Sequence, residues 1–251
     1  MLRVRAISET RYPMQRRTFL QYAASVGSLL AAPGVMAAAM DFDSWLRELQ
    51  REAAERGISA RTLASALTGV SPIARILELD RRQPEVTLTF EQYLARVVPD
   101  QRVQAGQERL SKNRALLDEI SASYGVQARF IVALWGIESD FGRITGNYPV
   151  ISALATLAYD GRRSAFFRRE LLEALAIIDQ GHITAERMTG SWAGAMGQSQ
   201  FMPSSFRAYA VDHDGDGRRD IWSSKPDVFA STANYLRQTG WKSDETWGRP
   251  I

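Results

Sequence analysis

The sequence predicts a mainly α protein. Three observations lead there: apolar residues recur at helical spacing through most of the chain beyond residue 40, no two segments alternate as a strand pair, and no repeat or low-complexity linker interrupts the pattern. With 251 residues and 45% apolar side chains, the chain can bury a sizeable core and is too apolar to be disordered.

Residues 1–39 read as an address rather than a fold. Gln15-Arg16-Arg17-Thr18-Phe19-Leu20-Gln21 holds paired arginines, Tyr22 to Ala32 is mildly apolar, Pro33-Gly34 breaks it, and Ala37-Ala38-Ala39 offers a small-residue exit. Basic, apolar and small-residue regions in that order make a signal peptide, and the arginine pair points to twin-arginine export. Met14, directly before the motif, is an alternative start. A periplasmic location is therefore expected. The apolar stretch is too short and too rich in Ala, Gly and Ser to span a bilayer comfortably, and the chain has no cysteine to carry a lipid, so no stable membrane insertion is expected after cleavage. The leader carries five arginines against Glu9, so the net charge of +3 becomes −1 over residues 40–251. That excludes a basic footprint, and no nucleic-acid partner is expected. The lack of cysteine also excludes thiol catalysis, disulfides and Cys-type zinc sites.

Residues 40–251 are read as one domain, expected to be monomeric. Phe42, Trp45, Leu46, Leu49 and Ala53 predict a first helix that Gly57 ends. Ser59 can cap a second over Arg61–Leu67, and Ser71-Pro72 opens a short third. Gln83-Pro84 to Thr89 looks extended. Leu110, Leu116, Leu117 and Ile120 predict one long amphipathic helix stopping near Gly125. Gln127 to Ser139 is apolar nearly all round, which predicts burial on most sides. Helices follow at Ser152–Tyr159 and Phe166–Ile178, at Pro203 in a first helical turn, and at Asp227–Gln238 with Gly240 as the stop.

Glu138 closes the apolar helix, where a charge is costly. Desolvation by Trp135, Ile137 and Phe141, together with the negative end of the helix dipole, should raise its pKa and keep it protonated, as a general acid for glycosidic oxygen requires. The plain alternative is a helix-end glutamate paired with Arg143. Asp140, two residues on, should point elsewhere, so no second carboxylate is paired with Glu138. One carboxylate suffices if the substrate supplies its own nucleophile, through an N-acetyl group or a 6-hydroxyl.

At Trp135-Gly136-Ile137-Glu138-Ser139-Asp140-Phe141-Gly142 the chain resembles the lytic murein transglycosylase B family. The resemblance continues through Tyr148-Pro149-Val150 and Ala153–Tyr159, and is strongest over Gly190-Ser191-Trp192-Ala193-Gly194-Ala195-Met196-Gly197-Gln198-Ser199-Gln200-Phe201-Met202-Pro203-Ser204-Ser205. It extends through Asp214-Gly215-Asp216-Gly217 and Asp220-Ile221-Trp222 to Ala233-Asn234-Tyr235-Leu236. It implies a lysozyme-like α domain with a substrate groove. It also implies non-hydrolytic cleavage of the MurNAc–GlcNAc bond of peptidoglycan to 1,6-anhydromuramoyl ends, with Glu138 as acid and then base. Substrate contacts fall on Ser191, to hold the N-acetyl group, on Gln200, to offer a donor and an acceptor, and on Tyr235, to stack on a sugar, with Tyr93 as a looser match. Gly190, Gly194 and Gly197 would let the backbone turn sharply or approach the sugar.

Asp212-His213-Asp214-Gly215-Asp216-Gly217-Arg218-Arg219-Asp220 opens like an EF-hand loop, with oxygen donors at positions one, three and five and glycine at six. Position twelve is Ser223 in place of glutamate. The resemblance implies a longer calcium loop with Asp212, Asp214, Asp216, the Arg218 carbonyl and a distal Asp227. No cofactor is required for the reaction, so calcium would be structural; otherwise the aspartates cap turns and pair with arginine.

Members of the resembled family extend beyond the stop at Trp247-Gly248-Arg249-Pro250-Ile251, which implies a shortened C-terminal part. The alternative to an enzyme is accordingly a non-catalytic peptidoglycan-binding or scaffold protein, and a third reading is a calcium-binding structural protein. A serine hydrolase is set aside, because His182 and His213 are the only histidines and no G-x-S-x-G motif accompanies them.

Overall fold

In a computed structural model of the protein, residues 40–81 and 89–244 are described. The expected signal peptide, most of the expected extended stretch before Thr89, and the chain end from residue 245 lie outside the described residues.

Local signals start and stop the helices largely where the sequence places them. Asp41 accepts the Ser44 N–H at 3.0 Å and opens α1 (Phe42–Glu55). Ser59 accepts from Thr62 and opens α2 (Ala60–Leu67), and α3 (Ala74–Arg81) follows. Thr89 and Gln92 form a reciprocal capping box at α4 (Phe90–Val97), a helix the sequence reading did not mark. The expected single long helix is two: α5 (Asp100–Lys112) and α6 (Arg114–Tyr124). Asn113 divides them, its side-chain amide donating to the Arg109 carbonyl at 2.7 Å in competition with the backbone ladder. Next come α7 (Ala128–Ser139), α8 (Val150–Tyr159), α9 (Ser164–Asp179), α10 (Pro203–Tyr209) and α11 (Lys225–Gln238). A strand pair that the sequence did not announce joins β1 (Tyr148–Pro149) to β2 (Thr189–Gly190), antiparallel. Two residues per strand are too few for alternation to register.

Two apolar cores organise these elements. The first gathers Leu49, Leu67, Ile76, Leu154, Leu171, Leu175 and Phe206 around the packed pair α8 and α9. The second gathers Leu117, Ile120, Ile131, Val132, Trp135, Val228 and Phe229 from α6, α7 and α11. Helix α11 joins them: Phe229 and Ala233 belong to the second core, while Tyr235 packs on the first. The buried Glu170 of α9 accepts the Ser204 N–H at 2.9 Å, so α9 holds the start of α10 and the loop before it. No helix among the described residues is long and apolar enough to cross a membrane.

Candidate active site

The site lies where α7 of the second core meets the 198–202 loop of the first. Helix α7 ends abruptly: Asp140, Phe141 and Gly142 take φ of 49°, 59° and 82° in succession, and the Phe141 N–H returns to the Trp135 carbonyl at 3.1 Å, satisfying an end carbonyl. Gly142 is required twice over, because a Cβ there would sit 2.2 Å from Gln198 Oε1, besides the positive φ. Three of the four positive-φ non-glycine residues among those described, Asp140, Phe141 and Gln200, stand at this junction. Strained backbone gathers where the surroundings hold a geometry in place.

Gln198 buckles the two halves together. Its Oε1 accepts from Trp135 Nε1 at 2.8 Å, its Nε2 donates to the Trp222 carbonyl at 2.8 Å, and its own carbonyl accepts from Ser139 Oγ at 2.8 Å. Neither Gln198 nor Ser139 was singled out from the sequence. In Gly197-Gln198-Ser199-Gln200 nothing local distinguishes the glutamine that braces from the one that faces the cavity.

A cavity of about 180 Å³ opens between them, lined by Leu134, Trp135, Glu138, Ser199, Gln200, Phe201, Met202, Ser205, Thr232 and Tyr235. Glu138 is the only acid in this lining. Its side chain is exposed at the mouth and makes no hydrogen bond or ion pair among the described residues, yet the flanking wall removes enough water for burial to raise the carboxyl above its ordinary value of 4.5. The pairing with Arg143 does not form: Arg143 Nε donates to Asp140 at 2.6 Å, and Arg102 Nε stands 3.6 Å from the same carboxylate. Asp140 thus points away, as helix geometry required. Of the three residues expected to desolvate Glu138, Trp135 alone shares its cavity. Ile137 and Phe141 line a separate apolar groove with Val98 and Val103, since neighbouring helix positions diverge by about 100°. Ile137 is 47% exposed, so α7 is less enclosed than its composition suggested.

Gln200 and Tyr235 line the same cavity as Glu138. The Gln200 Nε2 donates to the carbonyls of Thr145 at 3.0 Å and Gly197 at 2.8 Å. Both amide protons are committed, so Gln200 offers the cavity an acceptor and not the expected donor as well. Tyr235 is set by ring contacts with Phe201 at 5.7 Å and, edge-on, Tyr209 at 5.1 Å, and its hydroxyl has no partner among the described residues. Ser191 and Tyr93 are not part of this lining. Ser191 closes its own turn, with Oγ accepting the Ala195 N–H at 3.0 Å, though the hydroxyl proton remains available. Tyr93 lies on the outer face of α4, 54% exposed beside Phe90 and Leu94.

In the acidic loop, carboxylate oxygens of Asp212, Asp214 and Asp227 lie within 4.8 Å of one another. Asp227 is fully buried, and its oxygens accept the N–H groups of His213 at 2.8 Å and Asp220 at 2.7 Å, while burial raises its pKa. Asp216 does not join the cluster: the Arg218 guanidinium holds its carboxylate at 2.7 Å, and both side chains are exposed.

A family model described as Transglycosylase SLT domain matches residues 41–251. Membrane-bound lytic murein transglycosylase B of Escherichia coli (strain K12) is 41% identical over 124 residues, which span 49% of this chain and 34% of that protein. The crystal structure of SltB3 from Pseudomonas aeruginosa in complex with NAG-NAM-pentapeptide is similar at 47% identity with a TM-score of 0.81, covering 83% of this chain and 56% of that one. The Escherichia coli lytic transglycosylase Slt35 in complex with calcium is similar at 30% identity with a TM-score of 0.72, over 80% of this chain and 64% of that one. The chain therefore spans between a third and two thirds of the length of these relatives.

Proposed function

Because the chain belongs to the Transglycosylase SLT domain family, we propose that it is a lytic transglycosylase that cleaves the MurNAc–GlcNAc β-1,4 bond of peptidoglycan without water. The observation that carries this is the lone carboxyl: among the described residues Glu138 is the only acid lining the cavity, it has no partner there, and burial raises it above its ordinary value. A two-carboxylate hydrolase has no second partner for it among those lining residues.

In the proposed reaction, protonated Glu138 gives its proton to the glycosidic oxygen as the C1–O bond of the muramic residue breaks, and GlcNAc departs with a new hydroxyl. The N-acetyl oxygen of the muramic residue shields C1. The Glu138 carboxylate then removes the 6-hydroxyl proton as O6 bonds to C1, giving the 1,6-anhydro end and restoring the acid. Gln200 supplies an acceptor to a sugar hydroxyl or amide, Tyr235 presents a ring face, and Ser191 and Tyr93 would contact glycan further along the groove. Sacculi digested with the protein should release muropeptides with anhydro ends, 18 Da lighter than reducing-end products because no water is added. A mass spectrum dominated by reducing ends would make it a lysozyme-type hydrolase, and absence of any released product would favour the scaffold reading. Export by a twin-arginine signal and a periplasmic, monomeric enzyme complete this reading.

Calcium is proposed as a structural ligand. The convergence of Asp212, Asp214 and buried Asp227 supplies hard oxygen donors whose mutual repulsion a divalent cation would relieve. Calcium at about 100 times its dissociation constant should stabilise by about 2.7 kcal/mol, raising Tm by roughly 5–10 °C in a domain of this size. The exposed substitution Asp214→Asn should shrink that response. A melting temperature indifferent to calcium in the unmodified protein would leave the loop metal-free.

A further inference from the structure

Glu138 has no hydrogen bond or ion pair of its own among the described residues, so nothing at the carboxyl fixes where it points. Its aim is inherited from the last turn of α7, and the polar ties of that turn lead to one residue. Among the described residues, both side-chain hydrogen bonds that α7 sends to a distant segment end on Gln198. Trp135 Nε1 donates to its side-chain oxygen and Ser139 Oγ to its carbonyl, each at 2.8 Å. Trp135 and Ser139 stand four residues apart, about one helical turn, with Glu138 between them. Trp135 also lines the Glu138 cavity, whereas Gln198 does not.

Gln198 serves as a fixed point because it is held from its other side. Its backbone N–H donates to the Ile221 carbonyl and its Nε2 to the Trp222 carbonyl, both at 2.8 Å. Gly197 presses on the same segment, where a Cβ would lie 2.6 Å from the Ile221 carbonyl oxygen. Gly142 closes on the side chain itself, so that a Cβ there would lie 2.2 Å from Oε1. The amide cannot be reversed in this slot. A flip would set its oxygen against the Trp222 carbonyl and its NH2 against the indole N–H, losing both bonds.

We propose that Gln198 is a positioning residue of the reaction: acting through Trp135 and Ser139, and without touching glycan, it sets where the Glu138 carboxyl stands against the glycosidic oxygen. This rests on the transglycosylase reading for the reaction itself. Released from the brace, the end of α7 lets the carboxyl swing toward water. A displacement of about 1 Å costs up to about 10²-fold in rate. Gln200 and Tyr235 reach the cavity from other segments and keep their places, so the loss falls on kcat and spares KM. A hydrogen bond that only stabilised the fold would instead lower the melting temperature and leave the kinetics of the folded protein alone.

The test takes wild type, Gln198→Met, Trp135→Phe and the double variant. It measures kcat and KM on soluble glycan strands freed of peptide, the melting temperature, and the Glu138 titration midpoint by carboxyl-carbon NMR. Methionine keeps the length of Gln198 and removes both amide bonds. Phenylalanine removes only the indole N–H and keeps a ring against Phe141 and Phe229, so it gives the same reading should Gln198→Met fold poorly. Each single variant should lose about 30-fold in kcat with KM within about twofold of wild type. The double variant should be no slower than the slower single, because both changes break one link. The Glu138 midpoint should fall toward its ordinary 4.5 as the carboxyl gains water. A kcat within about threefold of wild type in both singles, losses that multiply in the double, or a raised KM with kcat kept overturns the proposal. A wild type that releases no product counts against the transglycosylase instead, and the titration then decides: a midpoint that falls in the variants supports the brace, and one that stays overturns it.

Discussion

Glu138→Gln is expected to lower turnover of sacculi by about 10³-fold, while glycan affinity and fold are retained. The amide keeps the shape of the side chain but can neither give a proton to the glycosidic oxygen nor take one from the 6-hydroxyl. No other acid among the described residues lines the cavity to stand in. The pH profile checks the same group. Because burial raises its pKa above 4.5, kcat/KM should fall on the alkaline side as the acid is lost, with a midpoint above that of a free glutamate. The stability consequence has the opposite sense. A carboxyl whose folded value exceeds its unfolded value binds its proton more tightly in the native state, so it weakens the fold as pH rises from the unfolded pKa through the folded one. Glu138→Gln should therefore melt no lower than wild type at pH 7, and the difference should vanish below the unfolded value. Turnover within tenfold of wild type would remove Glu138 from the chemistry, and an alkaline midpoint at the free-glutamate value would remove the perturbation.

Gly146→Ala should be the most damaging single methyl addition near the site. Gly146 has φ of +87°, and a Cβ there would lie 2.1 Å from the Gly190 carbonyl oxygen and 2.5 Å from the Ser191 nitrogen, both backbone atoms. The left-handed conformation costs about 1–2 kcal/mol for an L side chain, and forced overlap in packed structure adds about 1–3 kcal/mol. A drop in Tm of roughly 5–15 °C follows for a domain of this length. Activity should fall as well, since the neighbouring Thr145 carbonyl is one of the two that orient Gln200. A variant that melts within 2 °C of wild type would mean that residues 190–191 are not clamped against this turn.

Most of the helical framework could be read directly. Ser59 caps α2, Gly125 stops α6 and Pro203 opens α10, because caps, stops and apolar spacing are local and act through neighbours in the chain. Asn113 escaped that reading: a side chain that can bond backward to the helix is also a common surface residue, and only the observed turn shows which role it takes. The site divided in the same way. Glu138 could be singled out by a charge set in an apolar helix, family motifs pointed to Gln200 and Tyr235, and arginine pairing in the acidic loop was one of the two readings there, but nothing in one dimension announced the bracing of Trp135 by Gln198 or the loss of the Gln200 donor.

The sequence alone determined the helical class, most of the helix starts and stops and the family resemblance, and it singled out Glu138 as the candidate acid. The tertiary structure decided which cavity that acid faces and which polar groups were already committed to the backbone. The reason lies in range: helix starts and stops are set within a few residues, whereas the raised carboxyl depends on water removed by segments about 60 residues or more away in the chain, as from Glu138 to Gln200.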